Sequence, residues 1–275
     1  MMKRALVALM LTAGICSPAV ASEFTPTQVE DIQFIIGQYL EDHPEKVIEA
    51  LNNYQIKQEQ IRQQQAAENI GKYRNELRND SKTPVIGNKG GDFTIVEFFD
   101  YNCGFCKRMF PQVFDFVEQD GNTKWVMKEL PSLGELSTKM AKFALAAHNQ
   151  GKYREIHIAL MSLTDGFTDE KMAELIKENG LDEAKIKADM DSADVQKILD
   201  KNRELANNLG MSGVPMFVIE NTPKFGAFDG TGELPGMAAE ARKNKAAAAT
   251  EVKAEEVKEA AEPAKEEVKA ETAAE

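Results

Sequence analysis

The sequence predicts an α/β protein that is preceded by a helical stalk and interrupted by an inserted helical domain. Three observations support this prediction. An apolar run with strand character at 92–99 is followed by an amphipathic helix and a second strand at 123–129. Helical patterns alone occupy 137–208, and a strand begins again near residue 213. Long helical patterns with few apolar residues precede all of these elements.

The first 21 residues have the organisation of a secretory signal peptide. Lys3 and Arg4 precede an apolar stretch, and small residues end the segment at Ala21. We therefore expect the segment to be cleaved and the mature chain to enter the periplasm. Cys16 offers a lipoprotein interpretation, but Ile15 is a poor fit before a lipidated cysteine. We favour a cysteine that is discarded with the signal.

The composition excludes several classes of partner. The 275 residues carry a formal net charge of −12, and cleavage of the signal would remove two positive charges, which makes it about −14. Nucleic acid and anionic lipid each require a basic face, which this chain does not supply. We therefore expect no nucleic-acid partner.

Two helices are predicted in the stalk, residues 22–82. The stretch Thr25 to Gln28 has the order of a helix start with a capping box. Pro44 ends this helix and begins a second, which we predict to run to about residue 80. The apolar stripe of the second helix is narrow. It is consistent with a stalk that packs against copies of itself and equally with a helix that lies on its own domain.

From residue 83 to about 236 the pattern is that of a compact domain. Asp92 to Phe99 is apolar on both faces, as in strands covered by helices on each side. The apolar pattern of Lys107 to Glu118 predicts a helix. With the strands before and after it, this helix forms a right-handed parallel strand–helix–strand unit. Residues 237–275 are almost entirely Ala, Glu, Lys and Val, and we interpret them as a mobile low-complexity tail.

Cys103 and Cys106 are the only cysteines that remain after the signal is removed. A zinc site needs about four ligands, and the sequence has neither a second cysteine pair nor histidines at ligand spacing, so we expect no metal and no other cofactor. A static disulfide that closes so small a loop constrains the unfolded chain very little.

A reversible dithiol is the interpretation that we favour for this pair. Cys103 directly precedes a predicted helix, where unpaired backbone N–H groups and the helix dipole favour the thiolate. Cys106 lies one turn inside the same helix. It is therefore close enough to attack a mixed disulfide on Cys103 and release the product.

Two motifs resemble those of the DsbA-like branch of the thioredoxin superfamily, the secreted thiol-disulfide oxidoreductases. They are T-I-V-E-F-F-D-Y-N-C-G-F-C-K-R at 94–108 and S-G-V-P-M-F-V-I at 212–219. The N-terminal helices, and the stretch G-N-K-G-G-D-F before the first motif, are similar in particular to the ScsC-type periplasmic members. The resemblance implies a thioredoxin fold with a helical insertion at about 137–208. It also implies exported cysteine-containing substrate proteins, a membrane redox partner and a homo-oligomer formed through the N-terminal helices.

The resemblance assigns roles to individual residues. Cys103 would be the exposed nucleophile and Cys106 the buried resolving thiol. Val214 and Pro215 would bind an extended substrate segment, with a cis peptide bond before Pro215 that faces the dithiol. Glu97 lies in a buried strand, where burial raises the pKa of its carboxyl group and lets it exchange protons with Cys106. The alternative is a glutamate whose carboxyl group reaches water at the end of the sheet.

Gly104 and Phe105 lie between the two cysteines and are expected to tune the redox potential. The strongest oxidant of the family has proline and histidine at these positions. A histidine there stabilises the thiolate, and Phe105 cannot. We therefore predict a less oxidising couple.

These observations predict a periplasmic protein thiol-disulfide oxidoreductase that leans to disulfide isomerisation, because a self-associating stalk presents several active sites to one substrate. A dithiol oxidase that introduces disulfides into exported proteins uses the same residues and is the first alternative. A non-catalytic oligomeric chaperone or binding protein of the cell envelope, with the dithiol as a static bridge, is an alternative of another class. An envelope structural protein that engages other components through its tail is a third class.

Overall fold

The computed structural model describes residues 24–271, which form ten helices and five strands. The expectations for the signal peptide and for Cys16 lie outside this range. The strands are β1 (Val85–Gly87), β2 (Phe93–Phe99), β3 (Thr123–Glu129), β4 (Met216–Ile219) and β5 (Thr222–Phe225). The helices are α1 (Pro26–Asp42), α2 (Pro44–Lys72), α3 (Arg74–Arg78), α4 (Gly104–Asp120), α5 (Glu135–His148), α6 (Tyr153–Ser162), α7 (Asp169–Glu178), α8 (Glu183–Met190), α9 (Ala193–Asn208) and α10 (Gly230–Glu271).

The five strands form one mixed sheet in the order β1-β3-β2-β4-β5. Only β2 and β3 are parallel, and α4 connects them, so the predicted strand–helix–strand unit is present. The remaining pairs are antiparallel. Helices α5 to α9 are inserted between β3 and β4. The α/β fold class with a helical insertion is therefore confirmed.

The central strand β2 is buried along its whole length, because helices cover both faces of the sheet. Successive side chains alternate between the faces. Ile95 and Trp125 belong to the larger core with α4 and the inserted helices. Val96 and Val126 belong to a second core on the other face. The near-continuous apolar run in this strand predicted this two-sided burial.

The start of the N-terminal helical region agrees with the prediction, whereas its end does not. Thr25 caps α1, and its capping box with Gln28 is complete. The second helix ends at Lys72 instead of near residue 80, and the short helix α3 follows it. Leu77 in α3 packs in the second core of the sheet. The helix is interrupted just before the point where Leu77 enters this core. Helical periodicity alone does not show which side chains will pack against the sheet.

Contacts divide the chain into two units, Met1–Gln58 and Glu59–Glu275. In the first unit every described residue is exposed. In the second, Ile70 of α2 lies in a core of the sheet, so residues that the sequence assigned to the stalk belong to the compact body. None of the helices in 24–271 is long and apolar enough to cross a bilayer.

The C-terminal helix α10 corrects the interpretation of residues 237–275 as a tail that begins directly after the domain. Leu234 and Ala238 are buried in the larger core. Arg242 donates to both carboxylate oxygens of Asp120, at 2.8 and 2.9 Å, and also to Asp92 at 2.8 Å. The packed region therefore extends past residue 236, because a few apolar and basic side chains within an Ala-rich sequence find specific partners.

Candidate active site

Cys103 is the N-cap residue of α4. Its backbone is extended, with φ −79° and ψ 114°, and its sulfur accepts a hydrogen bond from the Cys106 backbone N–H over 3.5 Å. Both cysteines are free thiols in the structure. The chain thus begins a helix at the first cysteine and places the second one turn inside, as the spacing predicts.

The two sulfurs have opposite electrostatic surroundings. A hydrogen bond from the Cys106 thiol and the backbone N–H groups of Cys106 and Phe105 lower the pKa of Cys103 to about 6, against the opposing effects of burial and of Asp100. The pKa of Cys106 is raised far above its ordinary range, first because its proton is held by Cys103 and then because of burial and the nearby Glu97. The outer sulfur is therefore a thiolate at neutral pH, and the inner one is a thiol.

Val214 and Pro215 lie against the dithiol. The peptide bond between them is cis, as the resemblance implied. The Val214 carbonyl oxygen is 3.4 Å from the Cys103 sulfur. Because this peptide covers the sulfur, Cys103 exposes only 6% of its surface and is less open than the expected exposed nucleophile. Antiparallel pairing of β2 with β4 brings the two motifs together.

Glu97 is buried beneath the dithiol, with 1% of its surface exposed, so the alternative in which its carboxyl group reaches water is wrong. The indole nitrogen of Trp125 donates to its Oε2 over 3.1 Å. Burial raises the pKa of the Glu97 carboxyl group well above its ordinary value, and the indole bond opposes this only in part. Burial therefore favours the protonated form of this carboxyl group, and its charge, when present, raises the pKa of Cys106.

Phe105 points into solvent, with 55% of its surface exposed. The guanidinium carbon of Arg108 lies 4.3 Å from the centre of its ring. At Gly104 a β-carbon would meet nothing closer than 3.7 Å, so sterics do not require glycine. The two intervening residues thus form an exposed surface beside the dithiol.

Asp100 is a site residue that the sequence analysis missed. Its carboxylate accepts hydrogen bonds from the backbone N–H groups of Asn102, Ser132 and Leu133, at 2.8, 2.7 and 2.9 Å. It therefore fastens the loop before Cys103 to the segment that precedes α5. The only sequence signal was an acidic residue directly after a buried strand, because two of its three partners, Ser132 and Leu133, lie 32 and 33 positions away.

A buried polar cluster behind the dithiol was also missed. The hydroxyl groups of Tyr101 and Tyr153 both donate to Glu129 Oε1 at 2.7 Å. The Tyr101 hydroxyl lies 2.9 Å from Nδ1 of His157. His157 is fully buried. The cluster connects the loop that carries Cys103 to β3 and α6.

No group of three or more His, Cys, Asp or Glu side chains within the described part of the chain is arranged to hold a metal ion. The chemistry available at this site is that of the two sulfurs and of the buried carboxyl groups behind them.

The sheet is built on one parallel β-α-β unit. A Cys-x-x-Cys pair lies at the N-terminus of its helix, and a cis-proline lies against the outer sulfur. These features define a thioredoxin-like dithiol protein. Residues 94–240 match the model of the DSBA-like thioredoxin domain, and the chain belongs to this family. The resemblance seen in the sequence motifs is confirmed.

Solved structures agree with this assignment. A thioredoxin-like oxidoreductase from Silicibacter pomeroyi DSS-3 is 39% identical, with a TM-score of 0.58 over 62% of this chain and 98% of that one. The thiol-disulfide exchange protein alpha-DsbA2 from Wolbachia pipientis is 27% identical, with a TM-score of 0.60 over 65% and 97%.

ScsC of Proteus mirabilis in a transitional conformation is 28% identical, with a TM-score of 0.59 over 79% and 98% of the two chains. None of the curated proteins compared with the chain matches it significantly. The family and the dithiol together make this protein a thiol oxidoreductase close to the ScsC type.

Proposed function

We propose that this protein is a periplasmic protein thiol-disulfide oxidoreductase that acts mainly as a disulfide isomerase. The observation that supports it best is the polarised dithiol: a stabilised thiolate at Cys103 and a protonated thiol at Cys106. The thiolate is the nucleophile in disulfide exchange, so the outer sulfur reacts first.

The Cys103 thiolate attacks one sulfur of a substrate disulfide. A bond forms between Cys103 and that sulfur, the substrate disulfide breaks, and the second substrate sulfur leaves as a thiolate. In isomerisation a different substrate thiolate then attacks the substrate sulfur of the mixed disulfide. A new substrate disulfide forms and the Cys103 thiolate returns, so no net oxidation or reduction occurs.

Cys106 releases the substrate from a mixed disulfide that no substrate thiolate attacks. Its sulfur attacks Cys103, the Cys103–Cys106 disulfide forms, and the substrate leaves with its original disulfide reduced. The oxidase reaction is the reverse of this sequence. In that direction the protonated Glu97 gives its proton to the Cys106 sulfur as it leaves, and the ionised Glu97 takes the proton back when Cys106 attacks.

We assign substrate binding to the backbone around Val214 and Pro215. An extended segment next to the substrate cysteine pairs with the Val214 peptide, which gives affinity with little sequence preference. The signal pattern of residues 1–21 supports export, so the substrates are exported cysteine-containing proteins. A membrane redox partner that resets the dithiol completes the proposal.

The N-terminal helices support a homo-oligomer. In α1 the side chains of Ile35 and Ile36 expose 63% and 53% of their surfaces. Apolar side chains at this density on one helix favour association, and a second copy of the same helix offers a matching surface. Several dithiols around one misfolded substrate favour isomerisation over oxidation.

A variant with Ile35→Glu and Ile36→Glu tests the oligomer and the isomerase assignment together, in the full chain. Gln33→Glu with Gln38→Glu is the matched control, because it adds the same charge to the same helix. We expect the first variant to be monomeric in sedimentation and to refold scrambled ribonuclease slowly, while it still reduces insulin. A monomer that isomerises at the rate of the control would contradict the argument that the oligomer favours isomerisation, and a control that reduces insulin but does not refold scrambled ribonuclease would contradict the isomerase proposal and favour the oxidase.

Cys103→Ser separates the enzyme from a non-catalytic chaperone or binding protein. We expect it to abolish both insulin reduction and ribonuclease refolding. Cys106→Ser is the companion variant, which we expect to accumulate mixed disulfides because the resolving thiol is gone. If client refolding persists without Cys103, the redox function is wrong.

Removal of residues 249–275 tests the envelope structural protein. The cut leaves Arg242 and Lys245 in place, since both side chains bond to the compact body. We expect unchanged localisation and activity. Lost localisation with intact exchange chemistry would favour a structural role for the tail.

A further inference from the structure

A second buried carboxyl group, Glu129, lies on the same face of the sheet as Glu97. In the parallel pairing of β2 with β3, Glu97 lies beside Met127 and Phe99 lies beside Glu129. Glu129 is therefore two positions further toward the loop that carries Cys103. Both glutamates are almost completely buried. The residue that exchanges protons with Cys106 thus has a second acid as its neighbour.

The hydrogen bonds around Glu129 favour its ionised form. Its Oε1 accepts from the hydroxyl groups of Tyr101 and Tyr153. Because Tyr101 has one proton and gives it to Glu129, the proton between Tyr101 and His157 belongs to Nδ1 of His157, which donates to the hydroxyl oxygen. All three donors point toward the carboxylate, so its charge is distributed over the cluster.

Other groups around Glu129 come from several elements. Asp100 of the loop before α4 is its acidic neighbour besides Glu97. His148 of α5 lies edge-on to Tyr153, and burial lowers the pKa of its imidazole. From α9, Asn202 donates to the Glu129 backbone carbonyl at 3.0 Å. No basic side chain pairs with Glu129 among the residues whose side chains the structure describes, 24–251 and 253.

Charge on Glu129 therefore acts on Glu97 without a compensating cation. Burial raises the pKa of Glu129 to about 8, and the two tyrosine hydroxyls oppose this increase. Burial also lowers the pKa of His157 to about 3, so the imidazole is neutral. As the pH rises through the pKa of Glu129, this group becomes ionised, and its charge then adds to the effects of burial and of Cys103, which already raise the pKa of Glu97. Two acids this close titrate as a pair.

We propose that Glu129 is a positioning residue for thiol exchange that acts through Glu97: when Glu129 is ionised, its negative charge favours the protonated form of Glu97, from which Cys106 receives a proton. The inference rests on the proposed function. When a substrate thiolate attacks Cys103 of the oxidised protein, the Cys103–Cys106 bond breaks and the Glu97 proton moves to the Cys106 sulfur. Repulsion from Glu129 then favours return of the proton to Glu97 when Cys106 attacks again.

Tyr101 gives the same carboxylate a second connection to the site. It stands two residues before Cys103 and binds Glu129 directly. The loop position and the proton affinity of Glu97 are thus set by one buried group. Glu129 itself does not contact either sulfur.

Glu129→Gln tests the proposal in the full chain, because glutamine can accept both tyrosine hydroxyls but carries no charge. Reduced protein is mixed with oxidised glutathione, and acid quench with mass spectrometry follows the decay of the Cys103–glutathione mixed disulfide as Cys106 resolves it. We expect the midpoint of the pH–rate profile to move to lower pH by about one unit, the size of a typical neighbouring-charge effect. Glu155→Gln, on the surface of α6, is the control and leaves the profile unchanged.

The same substitution in a Glu97→Gln background separates a positioning role from a structural one. We expect no shift there, because the group through which Glu129 acts is absent. Tyr153→Phe removes one donor to Glu129, makes it less ionised, and shifts the profile in the same direction by a smaller amount. It also decides the matter if Glu129→Gln does not fold.

Three results are distinguishable. A Glu129→Gln profile that coincides with the wild type, while the mixed disulfide still resolves, overturns the proposal. A shift that persists in the Glu97→Gln background overturns it as well. If the wild-type protein forms no mixed disulfide with glutathione, the proposed function fails, and this inference fails only as its consequence.

Discussion

The Cys103 sulfur lies 3.4 Å from the carbonyl oxygen of Val214, although 111 positions separate the two residues in the chain. The contact joins the N-terminus of α4 to the segment that leads into β4. It leaves only 6% of the Cys103 surface exposed, beside the backbone to which we assign substrate binding. The proposed nucleophile and the proposed substrate-binding peptide are thus in direct contact.

The reactivity of Cys103 should follow its stabilised thiolate. In alkylation with iodoacetamide across a pH series, we expect a midpoint near pH 6, because the pKa of Cys103 is lowered to about 6. Cys106→Ala removes the largest cause, the hydrogen bond from the inner thiol, and should move the midpoint up by about one unit or more. Cys103→Ser is the blank for the assay. A midpoint near that of free cysteine would contradict this account.

Phe105→His should make the couple more oxidising. An imidazole directly after the helix start adds a donor or a positive charge for the thiolate, which stabilises the reduced protein. In equilibrium with glutathione we expect a shift of roughly tenfold toward the reduced form. Phe105→Leu, which keeps an apolar side chain at this exposed position, should leave the equilibrium within about twofold of the wild type. Equal values for both variants would contradict the prediction.

Asp100→Ala should destabilise the fold. Three backbone N–H groups lose their acceptor, the buried Asp100 carboxylate, in hydrogen bonds that are partly buried, and donors left unpaired there are costly. We expect the free energy of unfolding in urea to fall by about 3 kcal/mol. Asp115→Ala, at an exposed position of α4, is the control and should change it by less than about 0.5 kcal/mol. Equal stabilities would show that the loop does not depend on Asp100.

Arg242→Ala should lower the free energy of unfolding by an amount that depends on pH. The guanidinium group lowers the pKa of Asp120 to about 2, below the value of about 3.9 for an unfolded aspartate. The pair therefore stabilises the fold above about pH 4, and its contribution is lost as the pH falls from 4 to 2. Because solvent reaches both groups, we expect only about 1 kcal/mol at pH 7.

Unfolding in urea at pH 7 and at pH 2.5 measures this difference. Arg203→Ala is the matched control, since its ion pair with Asp200 is long, at 3.8 Å, and exposed. A destabilisation of Arg242→Ala that is the same at both pH values would indicate lost packing and not the ion pair.

Local features of this protein could be predicted from its sequence. The capping box at Thr25, the buried run of β2 and the helix that starts at Cys103 each depend on neighbours within a few positions. The end of α2 and the true extent of α10 could not be predicted in this way. Leu77 packs in the second core, after the end of α2, and Ala238 packs in the larger core, beyond the expected end of the domain. The local sequence around each is an ordinary helical sequence.

The sequence by itself determined the chemistry: a pair of cysteines one helical turn apart, with the third cysteine of the chain, Cys16, in the segment expected to be a signal peptide. The tertiary structure alone decided how that chemistry is controlled. Asp100, Glu129 and His157 reach the site only because β3, α6 and the segment before α5 converge behind the dithiol. Hydrogen bonds between groups so far apart in the chain follow from how whole elements pack. Periodicity and spacing record only which face of each element is buried.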